Sequence, residues 1–271
     1  MRETTDRPAP TRPLRITLVQ AASSLEPADN RAALDRLVPR AEGAERPDLV
    51  VLPEAFARDF GSAGSDVSPF AEPLDGPFGS ELARVAEDRG TTVVAGMFEA
   101  GPDPERPYNT LLVRGAAAAS YRKVHLYDSF GYRESDRLSA GGVAPTVVEV
   151  GGWRVGLMTC YDLRFPEMAR SLVDAGADVL VLPAAWVAGE GKVHHWRTLL
   201  TARAIENTVY VAAAGQPAPR YCGTSLVLDP MGREIAALGE SEDPATTTAV
   251  ADPELLLRTR DANPSLRNRR L

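Results

Sequence analysis

Cys160, Glu54, Lys123 and Glu134 lie far apart along the chain, and theirs are the side-chain types that could act together on an acyl bond. Cys160 stands where the apolar run 153–160 gives way to helical spacing with Pro166 near its start. A side chain at a strand-to-helix turn is held out at the sheet edge, and a helix N-terminus beside it favours a thiolate. Such a thiol suits nucleophilic attack. It also suits an inert core, because a lone cysteine ending a strand behaves as a small hydrophobe. Glu54 follows Pro53 near the end of the apolar run 48–56. A carboxyl in an apolar site has a raised pKa and works as a general acid or base near neutrality; a solvated strand-end glutamate would do neither. In 121–126, alternation sets Tyr121, Lys123 and His125 on one face. A lysine facing inward needs a carboxylate; otherwise it lies along the sheet edge. Glu134 falls in a polar stretch where a solvated glutamate is equally at home.

The elements that must position these residues are mainly strands. Strand patterns cover 14–21, 48–56, 92–99, 110–114, 117–126, 146–150, 153–160, 178–186, 209–214, 224–228, 234–238 and 246–251. Helical spacing covers 29–42, with Leu34, Leu37, Val38 and Ala41 on one face, then 79–89, 164–176 and 192–207, with Trp196, Leu199, Leu200 and Ala204 inward. Residues 57–77 read as a loop and 127–145 as a long polar connection. Gly151-Gly152 predicts a hairpin and Asp229-Pro230-Met231-Gly232 a tight turn.

Two stretches echo each other. Asp48-Leu-Val-Val-Leu-Pro-Glu-Ala-Phe56 matches Asp178-Val-Leu-Val-Leu-Pro-Ala-Ala-Trp186, and 15–21 faintly matches 154–160. Each pair reads strand, helix, strand. This predicts two similar halves, each a sheet with helices on one face, packed sheet to sheet. Glu54 stands where the other half has Ala184, and Cys160 where the other has Ala21. Each half thus places one reactive residue at the C-terminal end of a strand, where α/β ligand sites form.

The 271 residues suffice for one large α/β domain or two small ones, and a net charge of −7 gives no reason to expect nucleic acid. With two cysteines, Cys160 and Cys222, and no CxxC pair, neither a disulfide framework nor a thiolate metal site is expected, and a reducing cytoplasm suits the chain. The adjacent His194 and His195 cannot share a metal in the i, i+4 manner, so no metal is expected. No apolar run reaches membrane-spanning length and no signal segment is read, so no membrane partner is expected. Residues 1–13, with mixed charge and prolines, read as a disordered leader. The Arg-rich tail 258–271 either reaches a partner subunit or stays solvated.

Pro53-Glu54, Arg122-Lys123-Val124-His125-Leu126, Gly131-Tyr132-Arg133-Glu134-Ser135 and the run Thr159-Cys160-Tyr161-Asp162-Leu163-Arg164-Phe165-Pro166-Glu167 resemble, in order and spacing, the signatures of the nitrilase superfamily, the carbon–nitrogen hydrolases. The resemblance spans roughly 14–257, which sets the expected domain, and is nearest the branch of omega-amidases and deaminated glutathione amidases. It implies an α/β fold, a four-layer α-β-β-α sandwich of two similar halves, with no cofactor and homodimeric or larger assembly. It implies cleavage of a small linear carboxamide to acid and ammonia through a cysteine thioester. Nitrile, N-carbamoyl and acyl-transfer variants share that chemistry. Carried over by position, Cys160 is the nucleophile, Glu54 the base and Lys123 the oxyanion holder, aided by the Tyr161 N–H. Glu134 positions Lys123, whose charge favours a Cys160 thiolate. Tyr161 and Trp186 are expected as pocket walls, and Lys192 or Arg133 as the partner of a substrate carboxylate.

Overall fold

The structure, a computed structural model, describes residues 9–40 and 42–270. The first half runs β1 (Leu14–Gln20), α1 (Pro27–Leu37), β2 (Leu49–Val51), α2 (Pro77–Arg89), β3 (Thr92–Glu99), β4 (Tyr108–Arg114) and β5 (Ala119–Arg122). A two-stranded ribbon, β6 (Asp128–Ser129) and β7 (Tyr132–Arg133), interrupts the connection expected over 127–145. The second half runs β8 (Val147–Val150), β9 (Trp153–Leu157), α3 (Pro166–Asp174), β10 (Val179–Ala184), α4 (Lys192–Asn207), β11 (Tyr210–Gly215), β12 (Leu226–Leu228) and β13 (Glu234–Ala237). β14 (Ala245–Ala251) and α5 (Pro253–Ala262) follow.

The two sheets share one plan. The first has the order β14-β1-β2-β3-β4-β5 and the second β13-β12-β11-β10-β9-β8. In each, three parallel strands are flanked by antiparallel ones: β1-β2-β3 in the first, β9-β10-β11 in the second. The sequence echo maps onto this plan, with β1 and β2 in the places of β9 and β10.

Alternation along buried strands explains the layering. Leu49 and Val51 of β2 join Ile16 and Leu18 of β1, and Val155, Leu157, Val179 and Val181 of the second sheet, in the core between sheets. Val50 and Leu52 point the other way, onto Leu34 of α1 and Phe78, Leu82 and Val85 of α2. Trp196, Leu200 and Ala204 of α4 cover the far side of the second sheet. Four layers, α-β-β-α, result.

Several boundaries differ from the sequence reading. α1 begins at Pro27, which takes the first helical turn, and ends at Leu37; Ala41 lies outside the described residues. Strand β5 stops at Arg122, so Lys123 sits just past a strand end. Of the expected leader, residues 1–8 lie outside the described residues. Pro10 is buried, the Arg12 carbonyl accepts from Trp153 Nε1 at 2.7 Å and Arg12 Nη1 pairs with Asp48 at 2.9 Å, so the leader reading is corrected at those positions. The solvated-tail alternative is corrected in part: residues 258–262 complete α5, which begins at Pro253 and is capped by the Asp252 carboxylate accepting from Glu254 N at 2.9 Å. Arg260 then pairs with Asp178 at 2.9 Å and Arg269 with Asp174 at 2.5 Å, holding the segment on its own chain.

Candidate active site

Glu54 sits on a turn that glycine makes possible. After β2 the chain runs through Leu52 and Pro53 and turns at Ala55, whose φ is +53°. Gly96 of β3 packs flat against that turn: a Cβ there would lie 2.3 Å from Ala55 N and 2.7 Å from the Glu54 Cα. Gly96→Ala is therefore expected to push the Glu54 turn aside, costing about 1–3 kcal/mol of stability as overpacking does and lowering kcat while KM moves little. Thermal melts and steady-state kinetics check this; an unchanged kcat with unchanged Tm would contradict it.

The second half reaches across to complete the placement. Ala185 N donates to Glu54 Oε2 at 2.7 Å, and Gln216 Nε2 donates to the Glu54 carbonyl at 3.0 Å. Lys123 Nζ lies 3.0 Å from Glu54 Oε1, 2.9 Å from Glu134 Oε2 and 3.2 Å from Glu134 Oε1. Asn109 Nδ2 donates to Glu54 Oε1 at 2.8 Å and to Glu134 Oε1 at 3.3 Å. Tyr127 N donates to Glu134 Oε2 at 2.6 Å. Glu54, Lys123 and Glu134 are all buried. Burial alone would push Lys123 down, but the facing carboxylates of Glu134 and Glu54 outweigh it and hold the ammonium well above its usual value.

Cys160 opens a 3₁₀ turn, Cys160–Arg164, and α3 begins only at Pro166. Its φ is +45°, a left-handed conformation that a non-glycine residue adopts at a cost of order 1–3 kcal/mol. Asp162, fully buried, holds that turn against the Lys123 segment. Its carboxylate accepts from Thr159 N at 2.8 Å, Tyr121 Oη at 2.6 Å and His125 N at 3.0 Å, with His125 Nδ1 at 2.7 Å. The His125 ring stacks on Phe165 with centroids 3.7 Å apart. The fixed carboxylate thus links the Cys160 turn to the chain that carries Lys123.

The expected thiolate is corrected. Burial pushes the Cys160 thiol well above its usual value, the Glu54 charge adds to the rise, and Lys123 only partly offsets it. Two carboxylates already share one ammonium, so a thiolate would be a third negative charge beside a single positive one. The thiol and the Glu54 carboxylate line the same cavity. The resting site is therefore a neutral thiol beside a carboxylate that can take its proton.

Cys160, Glu54, Lys123 and Glu134 all line one cavity of about 700 Å³. Tyr161 and Trp186 form walls, as do Tyr127 and Phe130 of the ribbon region. Tyr161 meets Tyr127 edge-on at 5.0 Å, and Trp186 Nε1 donates to the Lys192 carbonyl at 3.1 Å. Arg133 is not brought in. Its exposed side chain turns to Asp136 at 3.5 Å, three residues along, and it does not line the cavity.

Lys192 does line it, with Nζ 3.2 Å from Tyr127 Oη and 4.1 Å from the Phe130 ring centre. Arg164 lies over the Trp186 ring at 4.9 Å, and its buried Nε has no hydrogen-bond partner. Among the described residues neither cation pairs with a carboxylate, whereas Arg220 at the rim is held by Asp59 at 2.6 Å. Asn109, Asp162 and Arg164 fall within stretches that fit the family pattern but have no role assigned from sequence, and Gln216 is not singled out at all. Asn109 and Gln216 carry the cue of polar residues at the ends of apolar strands; Asp162 and Arg164 flank Cys160 itself.

A buried thiol, carboxylate and ammonium at the meeting of two matched α/β halves define a class. The family model described as carbon-nitrogen hydrolase matches residues 15–260, and the chain belongs to that family. It is 45% identical over 225 residues to a deaminated glutathione amidase of Escherichia coli O157:H7, across 82% of this chain and 84% of that protein. A crystal structure of a CN-hydrolase superfamily protein from Xanthomonas campestris, with an arsenic adduct in its active site, matches with TM-score 0.82 at 31% identity, over 96% of this chain and 98% of that one. A double mutant of the amidase from Nesterenkonia sp. AN1, in complex with acrylamide, matches with TM-score 0.78 at 31% identity, over 95% and 94%. The protein is thus a hydrolase acting on carbon–nitrogen bonds, amidase-like, with the sandwich fold of the nitrilase superfamily. Among the described residues no helix is long and apolar enough to cross a membrane.

Proposed function

We propose that the protein cleaves a small linear carboxamide to an acid and ammonia through a thioester on Cys160. The observation that carries this reading is the convergence of the Cys160 thiol, the Glu54 carboxylate and the Lys123 ammonium on one buried cavity wall. Glu54 takes the thiol proton as Sγ attacks the amide carbon. Lys123 Nζ and the Tyr161 N–H hold the oxyanion, and Glu134 fixes Lys123. The tetrahedral intermediate collapses, the C–N bond breaks, and Glu54 returns the proton to the departing ammonia. A water then loses its proton to Glu54 and attacks the thioester, and the freed thiol recovers that proton as the acid leaves. Stoichiometric release of ammonia and acid from a panel of amides, nitriles and N-carbamoyl compounds tests the reaction. Release from linear amides supports it; turnover confined to nitriles or carbamoyl compounds overturns it.

The two unpaired cations favour an acyl chain that ends in an anion. Lys192 and Arg164 face the cavity without carboxylates of their own, in a protein of net charge −7. Against succinamate, Lys192→Met is expected to lower kcat/KM roughly tenfold, the size of one charge-assisted contact, while the neutral butyramide is affected less than about twofold. Equal losses on both amides would overturn the anion preference and leave the amidase reading standing.

A reducing cytoplasm suits the two free cysteines. Exposed Ile205, Met231 and Ile235 on the second half suit burial against a second copy in a homodimer. Light scattering of the purified chain gives the oligomeric state directly.

A further inference from the structure

We infer that Asn109 is a positioning residue that sets the Glu54 and Glu134 carboxylates about one shared ammonium, so that Glu54 is placed to act as the base. The inference rests on the amidase reading of the site. Asn109 touches three of the four residues assigned there. Its carbonyl accepts from Lys123 N at 2.8 Å, which fixes the lysine backbone. Its carboxamide nitrogen donates to Glu54 Oε1 at 2.8 Å and to Glu134 Oε1 at 3.3 Å. Lys123 bridges the same two carboxylates from the other side. The four groups close a ring of two acceptors and two donors, one donor charged and one neutral.

The amide orientation follows from chemistry, since turning it over would set an oxygen against two carboxylates. The orientation leaves Asn109 Oδ1 buried without a partner, a cost that structure alone does not require. Asn109 is buried and does not line the cavity, so it reaches substrate only through Glu54 and Lys123.

The charge balance gives the reason. Glu54 faces Lys123, Glu134, Cys160 and Tyr221. One ammonium against two carboxylates leaves one negative charge in a buried site, which calls for further hydrogen-bond donors. A proton on Glu54 would remove the base. A second cation in place of Asn109 would instead cancel the charge that draws the thiol proton. A neutral double donor holds both carboxylates in place without adding charge.

Asn109→Ala is expected to lower kcat roughly tenfold or more, to leave KM within about twofold, and to move the acid limb of the kcat/KM profile up by roughly one pH unit, the weight of one hydrogen bond to a charged group. The sign follows because a carboxylate that loses a donor binds its proton more tightly. Asn109→Asp keeps shape and packing but replaces the donor with a third carboxylate, and is expected to be the less active of the two near neutrality. An acid limb that stays in place in Asn109→Ala, or an Asn109→Asp protein at least as active as Asn109→Ala, would overturn the inference in favour of simple packing. If Asn109→Asp does not fold, the Asn109→Ala acid limb alone decides. Failure of the amidase reading would show separately, as turnover that survives Cys160→Ala.

Discussion

Cys160→Ala is expected to release ammonia at a rate on the order of 10⁵–10⁶-fold below the parent protein, the scale set by removing a nucleophile from a preassembled site. The size follows from the lack of any substitute. Cys222 is the only other cysteine, and its thiol sits 3.8 Å from the Val187 carbonyl, where it donates into the protein rather than into the cavity. Glu54 and Glu134 are already engaged by Lys123, Asn109 and backbone N–H groups, so neither is free to attack a carbonyl. Alanine tolerates the turn at residue 160 about as well as cysteine, so stability is expected to change by less than about 1 kcal/mol. Substrate binding should survive. Isothermal titration with a slow amide and a sensitive ammonia assay separate the two effects; a loss below about tenfold would remove Cys160 from the mechanism.

Lys123→Met is expected to fail in two ways at once. The ammonium is the one counter-charge of two buried carboxylates, and removing one side of a buried pair costs about 3–5 kcal/mol. Turnover should fall on the order of 10²–10³-fold from loss of the oxyanion donor alone. The pH dependence of the damage has a definite sign. Without Lys123, the folded protein holds a proton between Glu54 and Glu134 that the unfolded chain releases at lower pH. A carboxyl with a raised folded-state pKa contributes stability below its unfolded pKa, and that contribution is lost as pH rises through the folded pKa. The variant should therefore melt at a lower temperature at about pH 8 than at about pH 6. Adding Glu134→Gln to Lys123→Met should restore much of the stability and none of the turnover. A single variant with parental stability at the higher pH would show that the carboxylates find other compensation.

Much of the site can be read in the sequence because each reactive residue sits where a strong local pattern breaks. Glu54 follows an apolar strand and a proline, and Cys160 ends another. Alternation places Lys123 on the face of buried Tyr121, and both are indeed buried although β5 ends one residue earlier. The echo between 48–56 and 178–186 states the two-sheet plan, because parallel buried strands leave long apolar runs that align visibly.

What the sequence hides is set by contacts between distant segments. Nothing near Gln216 or Ala185 announces that both hydrogen-bond to Glu54, more than a hundred residues away. Asn109 belongs to a stretch, Tyr108-Asn109-Thr110, that fits the family pattern, but its role exists only once Glu54 and Glu134 meet. Arg133 is misplaced by the sequence because a charged residue beside Glu134 has two directions open to it, and the local 3₁₀ turn sends it to Asp136. The thiolate expectation fails on burial first and on charge second: removal from water and the Glu54 charge push the thiol up by more than Lys123 draws it down. The tail does carry a readable signal, since Asp252-Pro253-Glu254 is an N-cap, a first-turn proline and an acidic first turn.

The central claim is that Cys160 carries the acyl group and Glu54 carries its proton. Its most direct test is a stopped-flow burst with the 4-nitrophenyl ester of an accepted acid, followed by intact-mass analysis of the quenched protein. In Glu54→Gln, with no acceptor for the thiol proton, acylation should slow on the order of 10²–10⁴-fold, whereas the parent protein should acylate in a burst. One nitrophenolate per chain should appear, and the acyl mass should reside on the peptide containing Cys160 and be discharged by hydroxylamine. A burst that persists in Cys160→Ala, or acyl mass found on any other residue, would contradict it.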